Sequence, residues 1–351
     1  MKNKVLCRSI VLMTIVLFIS ASVVPSTVGT TNENTVTTAF GSRGYIQDLI
    51  DNASDGDTIY IPSGFYHEDI VINKSINLIG ENKNTTIIQP YFSEYNIYIV
   101  HNCVNISGFT IKNNQRWQNG VKINSCRNNL INNIFYSQND NIRVDSDNNT
   151  ICSNTILEST WGVMLYGDAN TVSGNNIITS HTGIDIFGDD NIIINNTIIN
   201  QLSGDVSEGI VLYGDRNNIS SNIITTSNFG IWLSGVSNTI YGNIILGINC
   251  GVMLYGDANT VSSNNISNNG DGINLTGSSN NTIHKNNFLN NKKDAFFNNS
   301  EKNTWKQNYW NRSRILPKLI FGKIAIGPIE IPWFNIDWHP AFKPYDIPGI
   351  T

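Results

Sequence analysis

The chain has 351 residues, of which 14% are charged, with a formal net charge of −5 and an isoelectric point near 5.5. This mildly acidic balance shows no basic patch and excludes a typical nucleic-acid-binding protein. The five histidines form no closely spaced His/Cys/Met cluster of the kind that suits a soft metal such as copper.

The N-terminus has the layout of a signal peptide. A basic start precedes an apolar run from Ser9 to Val24, which is short for a stable membrane span. Residues 1–28 are therefore predicted to be a signal peptide, with an uncleaved N-terminal anchor as the alternative. We expect an extracytoplasmic protein (secreted, periplasmic or at the cell surface) that meets a membrane only through such an anchor.

Residues 40–119 are predicted to hold a short helix followed by the first, irregular part of a β-structure. From Tyr45 to Asn52, apolar residues recur on one side of a helix. Alternating segments follow, beginning with Thr58-Ile59-Tyr60-Ile61-Pro62, and the Asp-Gly and Ser-Gly pairs around them predict turns.

Residues 120–310 are a tandem repeat. The twelve residues from Gly162 to Ser173 return unchanged from Gly251 to Ser262, which indicates internal repetition. The first position of each repeat is occupied by Gly120, Asn141, Gly162, Gly183, Gly209, Gly230, Gly251, Gly272 and Ala295. These positions are 21 residues apart, except for 26 between Gly183 and Gly209 and 23 at the end.

Two columns of asparagine accompany this period. The first contains Asn128, Asn149, Asn170, Asn191, Asn217, Asn238 and Asn259, and continues as Asn281 and Asn303. The second lies five residues further on and runs from Asn133 to Asn308. We expect a structural role, because asparagine tolerates the left-handed backbone of turns and stacked amides hydrogen-bond their equivalents along an axis.

Three short strands in each 21-residue repeat cannot close a sheet by themselves, but they can if each repeat is one rung of a parallel β-helix. The predicted fold class is therefore all-β. It is a single-stranded parallel β-helix, a solenoid of roughly twelve rungs with about 21 residues per rung. The N-terminal helix is expected to cap its open end.

The segment from Ile46 to Glu81, which contains Asp-Gly-Asp-Thr-Ile-Tyr-Ile-Pro-Ser-Gly, resembles the opening of pectin-lyase-like right-handed β-helix proteins. With the Asn-Thr-Ile and Asn-Asn-Ile rungs, residues 42–310 resemble the NosD-like family of carbohydrate-binding and sugar-hydrolase domains. The resemblance implies a right-handed helix and an extracytoplasmic setting, and it is compatible with a glycan ligand. Members range from polysaccharide-active enzymes to surface-layer components and a periplasmic copper accessory factor, so no single reaction is implied.

Residues 311–351 change character, with six prolines among many aromatic residues. This composition is too apolar for a disordered tail. We predict a strap that covers the C-terminal end of the solenoid or runs back along it; an adhesive or partner-binding segment is the alternative.

The repeat also predicts which side chains face outward. On the first strand of each repeat, residues one and three after the leading position should point inward, and residues two and four after it outward. The outward set includes an aromatic stripe of Tyr166, Phe187, Tyr213, Trp232 and Tyr255, flanked by Met164 and Met253. Such a stripe offers ring faces to a polysaccharide, unless the aromatic tail or a loop covers it.

An acidic column lies two residues beyond this stripe. It contains Asp147, Asp168, Asp189 and Asp215, is interrupted by Val236, and continues as Asp257. Aspartate in such turns commonly accepts hydrogen bonds from nearby backbone N–H groups. A hard cation such as Ca²⁺, bridging adjacent carboxylates, is the alternative and the only cofactor for which the sequence offers a place.

Charged residues break the pattern in two places. One is the insertion from Gln201 to Glu208, and the other is the rung that contains Arg143 and Asp145. Together with Asp185, Arg143 and Asp145 are weak catalytic candidates for a lyase or glycoside hydrolase that acts on an acidic polysaccharide. The usual polygalacturonase signatures are absent, so whether the protein is an enzyme stays open.

The leading hypothesis is a non-catalytic, exported module that binds a polysaccharide or cell-envelope glycan through the aromatic stripe. The enzyme just described and a purely structural spacer are the alternatives. A copper accessory role follows from the family resemblance alone.

Overall fold

The computed structural model describes residues 44–91, 94–113, 119–136, 139–200, 207–225 and 228–347, and these ranges form a parallel β-solenoid. Residues 1–43, which include the predicted signal peptide, lie outside the described residues. Each complete rung contributes one strand to each of three faces. The predicted fold class and the number of rungs are confirmed, because the first face has 12 strands.

The first face is a parallel sheet in which each strand pairs with its equivalents in the neighbouring rungs, as Ile193 does with Val172 and Ile219. Its strands are Thr58–Ile61, Asn77–Gly80, Asn105–Ser107, Asn129–Ile131, Thr150–Cys152, Thr171–Ser173, Ile192–Ile194, Asn218–Ser220, Thr239–Tyr241, Thr260–Ser262, Thr282–His284 and Thr304–Lys306.

The second and third faces form one 23-stranded sheet, because two long strands, Thr155–Leu165 and Asn176–Ile186, run around the corner between them. The other strands of the second face are Gly64–His67, Thr86–Gln89, Thr110–Lys112, Ile134–Tyr136, Thr197–Asn200, Ile223–Thr225, Ile244–Leu246, Asn265–Ser267, Asn287–Leu289 and Tyr309–Trp310. The other strands of the third face are Ile70–Ile72, Tyr95–Ile99, Asn119–Ile123, Asp140–Val144, Glu208–Leu212, Phe229–Leu233, Cys250–Leu254, Asp271–Thr276, Lys293–Asn298 and Lys318–Ile326, followed by the antiparallel strand Ile329–Asp337.

Aliphatic columns fill the interior. The residues one and three after the leading positions from Gly120 to Gly272 are buried as predicted; Val163 and Leu165, for example, are 0% exposed. The prediction of Ala295 as a leading position is wrong, because Ala295 pairs with Ile273 and Asp294 is therefore the equivalent of Gly272. The leading glycines let adjacent rungs approach closely, since a Cβ on Gly162 would lie 2.5 Å from the carbonyl oxygen of Gly183. Interior packing of this kind favours aliphatic residues of similar volume at equivalent positions.

Both asparagine columns are buried hydrogen-bond ladders. In the first column, the backbone N–H of each asparagine donates to Oδ1 of its equivalent in the next rung, as Asn149 does to Asn170 at 2.7 Å. In the second column the amide side chains also bond one another, and Asn175 Nδ2 lies 2.9 Å from Asn196 Oδ1. The predicted stacking of amides along the axis is therefore confirmed.

The left-handed turn positions differ from the prediction. The residue just before each ladder asparagine has a positive φ, for example Ala169 at 54° and Ser153 at 58°, whereas the ladder asparagines do not. The expectation that the asparagines themselves take up left-handed backbone is wrong. Their side chains must point along the axis to reach the next rung, so the preceding residue makes the turn instead.

One α-helix, α1 (Tyr45–Asn52), is found in the described ranges and buries Ile46 and Ile50. Glu68, 4% exposed, accepts the backbone N–H groups of Ile46 and Gln47 at the helix N-terminus. Lys74 Nζ donates to carbonyl oxygens at the other end, including that of Ile50 at 3.0 Å. Two charged side chains from the early rungs thus satisfy the end groups that a helix leaves unpaired. None of the helical structure in the described ranges has the length and apolar character needed to span a bilayer.

An antiparallel hairpin, Lys318–Ile326 with Ile329–Asp337, follows the last rung, and we call it the C-terminal hairpin. Asp337 at its end is 0% exposed and closes the second asparagine ladder. Its carboxylate accepts hydrogen bonds from the backbone N–H of Gln307 at 3.0 Å and of Asn308 at 2.9 Å. The indole Nε1 of Trp310 donates to the same carboxylate at 3.1 Å.

Replacing Asp337 with alanine should lower the free energy of unfolding by at least about 3 kcal/mol, because the buried backbone N–H of Asn308 and the buried indole of Trp310 would lose the acceptor that they have among the described residues. Urea unfolding followed by circular dichroism measures this change. Glu330→Ala, in the same strand, is the matched control, since Glu330 is exposed and pairs only with Lys323 among described residues; it should cost less than about 0.5 kcal/mol. Equal losses in the two variants would contradict the role of Asp337.

Candidate functional site

The outer side of the third face carries the candidate site. One column runs Arg143, Met164, Asp185, Val211, Trp232 and Met253, each paired with the next. A second column, two residues further along each strand, holds most of the aromatic stripe. Asp185 and Val211 point outward as predicted, but they are only 8% and 5% exposed. Large neighbouring side chains crowd this part of the face.

Three rings of the stripe form a continuous stack along the solenoid axis. Tyr166 and Phe187 are parallel within 2° with centroids 4.6 Å apart, and Phe187 and Tyr213 are 5.0 Å apart. The guanidinium of Arg143 lies 4.5 Å from the Tyr166 ring centre. At these distances each ring covers the face of its neighbour. The rings of this stack therefore present edges, not faces, to solvent, and the outer face of Tyr213 is the exception.

The ring ladder has a gap at Ser234. This residue occupies the rung between Tyr213 and Tyr255, and all three follow the same backbone pattern. Two rungs separate the tyrosines by roughly 9–10 Å, about the separation that Tyr166 and Tyr213 have around Phe187. The gap is thus one ring thick. Trp232 lies on the same rung as Ser234, and its ring packs against Tyr255 at a tilt of 33° with the ring centres 5.5 Å apart, so it lines the Tyr255 side of the gap.

A cluster of charged side chains lies on the rungs before the ring stack. Arg143 Nε donates to Asp145 at 2.8 Å, and Lys122 Nζ lies 3.2 Å from the same carboxylate. Asp140 lies at the start of the same strand, where burial raises the pKa of its carboxyl to about 6 against the opposing effect of Arg143. Asp140 is not among the predicted site residues, although its position in the charged rung was the available signal.

Asp185 belongs to a second group. Burial, followed by the negative charge of Glu208, raises the pKa of the Asp185 carboxyl to about 7. Its Oδ1 has no hydrogen-bond partner among the described residues. Glu208 Oε2 accepts the hydroxyl of Thr182 at 2.9 Å, and that hydroxyl lies 2.9 Å from His181 Nδ1.

The structure separates the three predicted catalytic candidates. Arg143 and Asp145 are in contact, but Met164 lies between Arg143 and Asp185 in the column. Glu208, a residue of the predicted insertion, is instead the charged residue that most affects Asp185. It pairs with Thr182, which lies in the same strand as Asp185. Residues 201–206 of that insertion, including Asp205, lie outside the described residues. Arg143 and Asp185 are kept apart because they lie two rungs from one another along the solenoid.

The acidic column forms backbone hydrogen bonds. Asp147 accepts the N–H of Asp168 at 2.8 Å, and Asp168, Asp189 and Asp215 repeat the arrangement with the following rungs. Arg216 also contacts Asp189 at 2.9 Å. In the described part of the chain, no group of three or more His, Cys, Asp or Glu side chains is arranged to hold a metal ion. A calcium ion on this column stays a prediction.

The raised pKa of Asp185 makes stability depend on pH. Between about pH 4 and 7 the folded protein keeps a proton on Asp185 that the unfolded chain releases, so the free energy of unfolding should fall as the pH rises. Asp185→Asn should remove roughly 2–4 kcal/mol of this decline. Urea unfolding at about pH 4.5 and at about pH 8 measures the decline in the free energy of unfolding. The exposed Asp346→Asn controls for the lost charge, and an unchanged decline in Asp185→Asn would refute the assignment.

The chain is a right-handed parallel β-helix protein. The family model described as "right handed beta helix region" matches residues 95–245. More particularly, residues 195–318 match the family described as "periplasmic copper-binding protein (NosD)". Among curated proteins, none is significantly similar to this sequence.

Solved structures agree on the fold. The mannuronan C-5 epimerase AlgE4 A-module of Azotobacter vinelandii is 13% identical, with 75% of this chain and 88% of that chain covered and a TM-score of 0.56. The DFA-IIIase of Arthrobacter chlorophenolicus A6 without its lid is 13% identical, with 76% and 89% covered and a TM-score of 0.61. ORF18 of Geobacillus virus E2 is 16% identical, with 81% and 64% covered and a TM-score of 0.61. At these identities the likeness establishes the fold alone.

Proposed function

We propose that this protein binds a polysaccharide on the outer side of the third face, with one sugar ring seated in the gap over Ser234. The observation that carries the proposal is the interrupted ring ladder. A flat ring of one rung's thickness is missing between Tyr213 and Tyr255, whose side chains are 49% and 36% exposed. A sugar ring would lie between Tyr213 and Tyr255 as Phe187 lies between Tyr166 and Tyr213.

The chemistry of the gap suits a pyranose ring. Its apolar C–H faces would contact Tyr213 on one side and Tyr255 on the other, and its hydroxyls would stay in contact with water. Trp232 adds an aromatic surface beside the gap. The binding surface continues along the column to the charged group at Arg143, which gives a long chain several rungs to contact.

The same proposal places the protein outside the cytoplasm. Supporting this, one matching family is described as periplasmic, and two structural neighbours are by their titles a mannuronan epimerase and a DFA-IIIase. A polysaccharide or cell-envelope glycan is the expected partner.

Filling the gap tests the binding site. Ser234→Phe should continue the ring stack, keep or raise stability by about 0.5–1.5 kcal/mol, and weaken glycan binding at least about tenfold. A glycan-array screen identifies the ligand, and calorimetric titration then measures affinity. Tyr213→Ala should weaken binding similarly. Tyr241→Ala, which removes a 51%-exposed tyrosine on the first face, is the control, and undiminished binding by Ser234→Phe would refute the site.

A second candidate function is turnover of the bound glycan by acid–base catalysis at Asp185. The observation that favours it is the buried Asp185 carboxyl, whose Oδ1 lacks a partner among the described residues. A carboxyl that titrates near pH 7 can act as a proton donor at neutral pH, and the neighbouring Glu208 can act as the base. Arg143, stacked on Tyr166, would contact an acidic sugar approaching from the charged end.

Product formation from the array ligand distinguishes the two candidates. If Asp185 is the acid, Asp185→Asn should abolish turnover and leave affinity within about threefold of the wild type. Glu208→Gln should reduce the rate at least about 100-fold. Asp257→Asn, in the acidic column, is the matched control. Binding without any product in the wild type would leave the non-catalytic module as the function.

The match to the NosD model supports a copper accessory role as an alternative. The described residues do not fit a copper centre, because no group of three or more metal-binding side chains occurs among them. His101, Cys103 and Cys126 lie in the turns of two adjacent rungs but do not form such a group, and the other described histidines and cysteines are dispersed.

A further inference from the structure

The tip of the C-terminal hairpin is an exposed apolar surface. Ile326 and Ile329 are 61% and 62% exposed. They lie directly opposite one another, as do Ile324 and Ile331, on one face of the hairpin. Ile324 and Ile331 are half-buried and Ile324 packs against the core of the solenoid, so Ile326 and Ile329 form the exposed tip. Within the described ranges, the hairpin pairs in parallel with the solenoid at two residues, Gly322 and Lys323. The tip therefore lies beyond the sheet that anchors its base.

Aromatic residues surround the base of the hairpin. Phe321, Trp333 and Trp338 are 65%, 50% and 63% exposed, and Phe334, opposite Phe321, is 47% exposed. The hairpin therefore has aliphatic side chains at its tip and tryptophan and phenylalanine side chains at its base. This arrangement is typical of elements that enter the interfacial region of a membrane.

The surroundings of the hairpin are basic, in contrast to the acidic chain as a whole. Residues 302–343 contain seven Lys or Arg and two Asp or Glu, a formal charge of +5, whereas the complete chain carries −5. The basic residues are Lys302, Lys306, Arg312, Arg314, Lys318, Lys323 and Lys343. Of the two acids, Asp337 is fully buried and Glu330 pairs with Lys323. Lys318 pairs with Asp294, which lies outside this range, so the charge around the hairpin is positive but smaller than the formal +5. The acidic residues elsewhere in the chain hide this local charge in the overall balance.

We propose that the C-terminal hairpin is a membrane-binding element, which inserts its isoleucine tip into an anionic lipid surface. The local positive charge favours an anionic partner. A glycan fits the tip poorly, because isoleucine offers neither a ring face nor a hydrogen bond. A second copy of the chain would bring together two basic surfaces, and Pro332 in the edge strand makes that edge a poor template for another strand.

Vesicle sedimentation tests the proposal with the full chain. The probes are vesicles of phosphatidylcholine alone and vesicles in which about one third of the lipid is phosphatidylglycerol. The wild type should bind the anionic vesicles at least about tenfold more tightly than the neutral ones, and the fluorescence of the protein should shift to the blue as Trp333 leaves water. Ile326→Asp should weaken binding to the anionic vesicles about tenfold or more.

Val236→Asp is the matched control. It introduces the same charge at a 40%-exposed apolar residue, where equivalent rungs carry Asp215 and Asp257. Residues 1–43 are identical in all three proteins, so any contribution from them cancels. Equal binding by the wild type and Ile326→Asp would overturn the proposal. So would concentration-dependent dimerisation without lipid that Ile326→Asp abolishes, since the tip would then bind a second copy.

Discussion

Buried hydrogen bonds between successive asparagines hold each rung on the next, and the rest of the molecule depends on them. At two of the three corners of a rung, the backbone N–H of an asparagine donates to the side chain of the equivalent asparagine in the next rung. Asn170 and Asn191 are joined in this way at 2.7 Å. An unpaired amide at such a buried position would cost about 1–3 kcal/mol. The ladders therefore fix the register, and the register aligns every inward and outward column.

The strict register is also what makes irregularities on the surface informative. Because each outward column repeats at one-rung spacing, a missing ring at Ser234 leaves a gap of defined thickness between Tyr213 and Tyr255. In the same way, a charged residue in an apolar column is crowded by its neighbours. This is how Asp185 becomes buried and retains its proton to about pH 7. The candidate site is a departure from the repeat.

The two ends of the solenoid solve a different problem, since a ladder must stop. At the N-terminus, Glu68 and Lys74 bind the two ends of α1, which covers the first rungs. At the C-terminus, Asp337 supplies acceptors to the last donors of the ladder. The hairpin that carries Asp337 also brings exposed isoleucines and a local excess of basic residues, so the cap and the proposed membrane contact belong to one element.

The sequence by itself determined the repeat length, the solenoid, α1 and the inward columns, because a fixed period in side-chain character leaves few folds that bury it. It also identified Tyr166, Phe187 and Tyr213 as neighbours, since equivalent residues of adjacent rungs must meet. Only the tertiary structure decided that these rings cover one another's faces and that the residue before each asparagine takes the left-handed turn. It also decided that Asp185 is affected by the charge of Glu208 and is separated from Arg143 by Met164. Those outcomes depend on side-chain rotamers and on distances across strands, which a one-dimensional period does not specify.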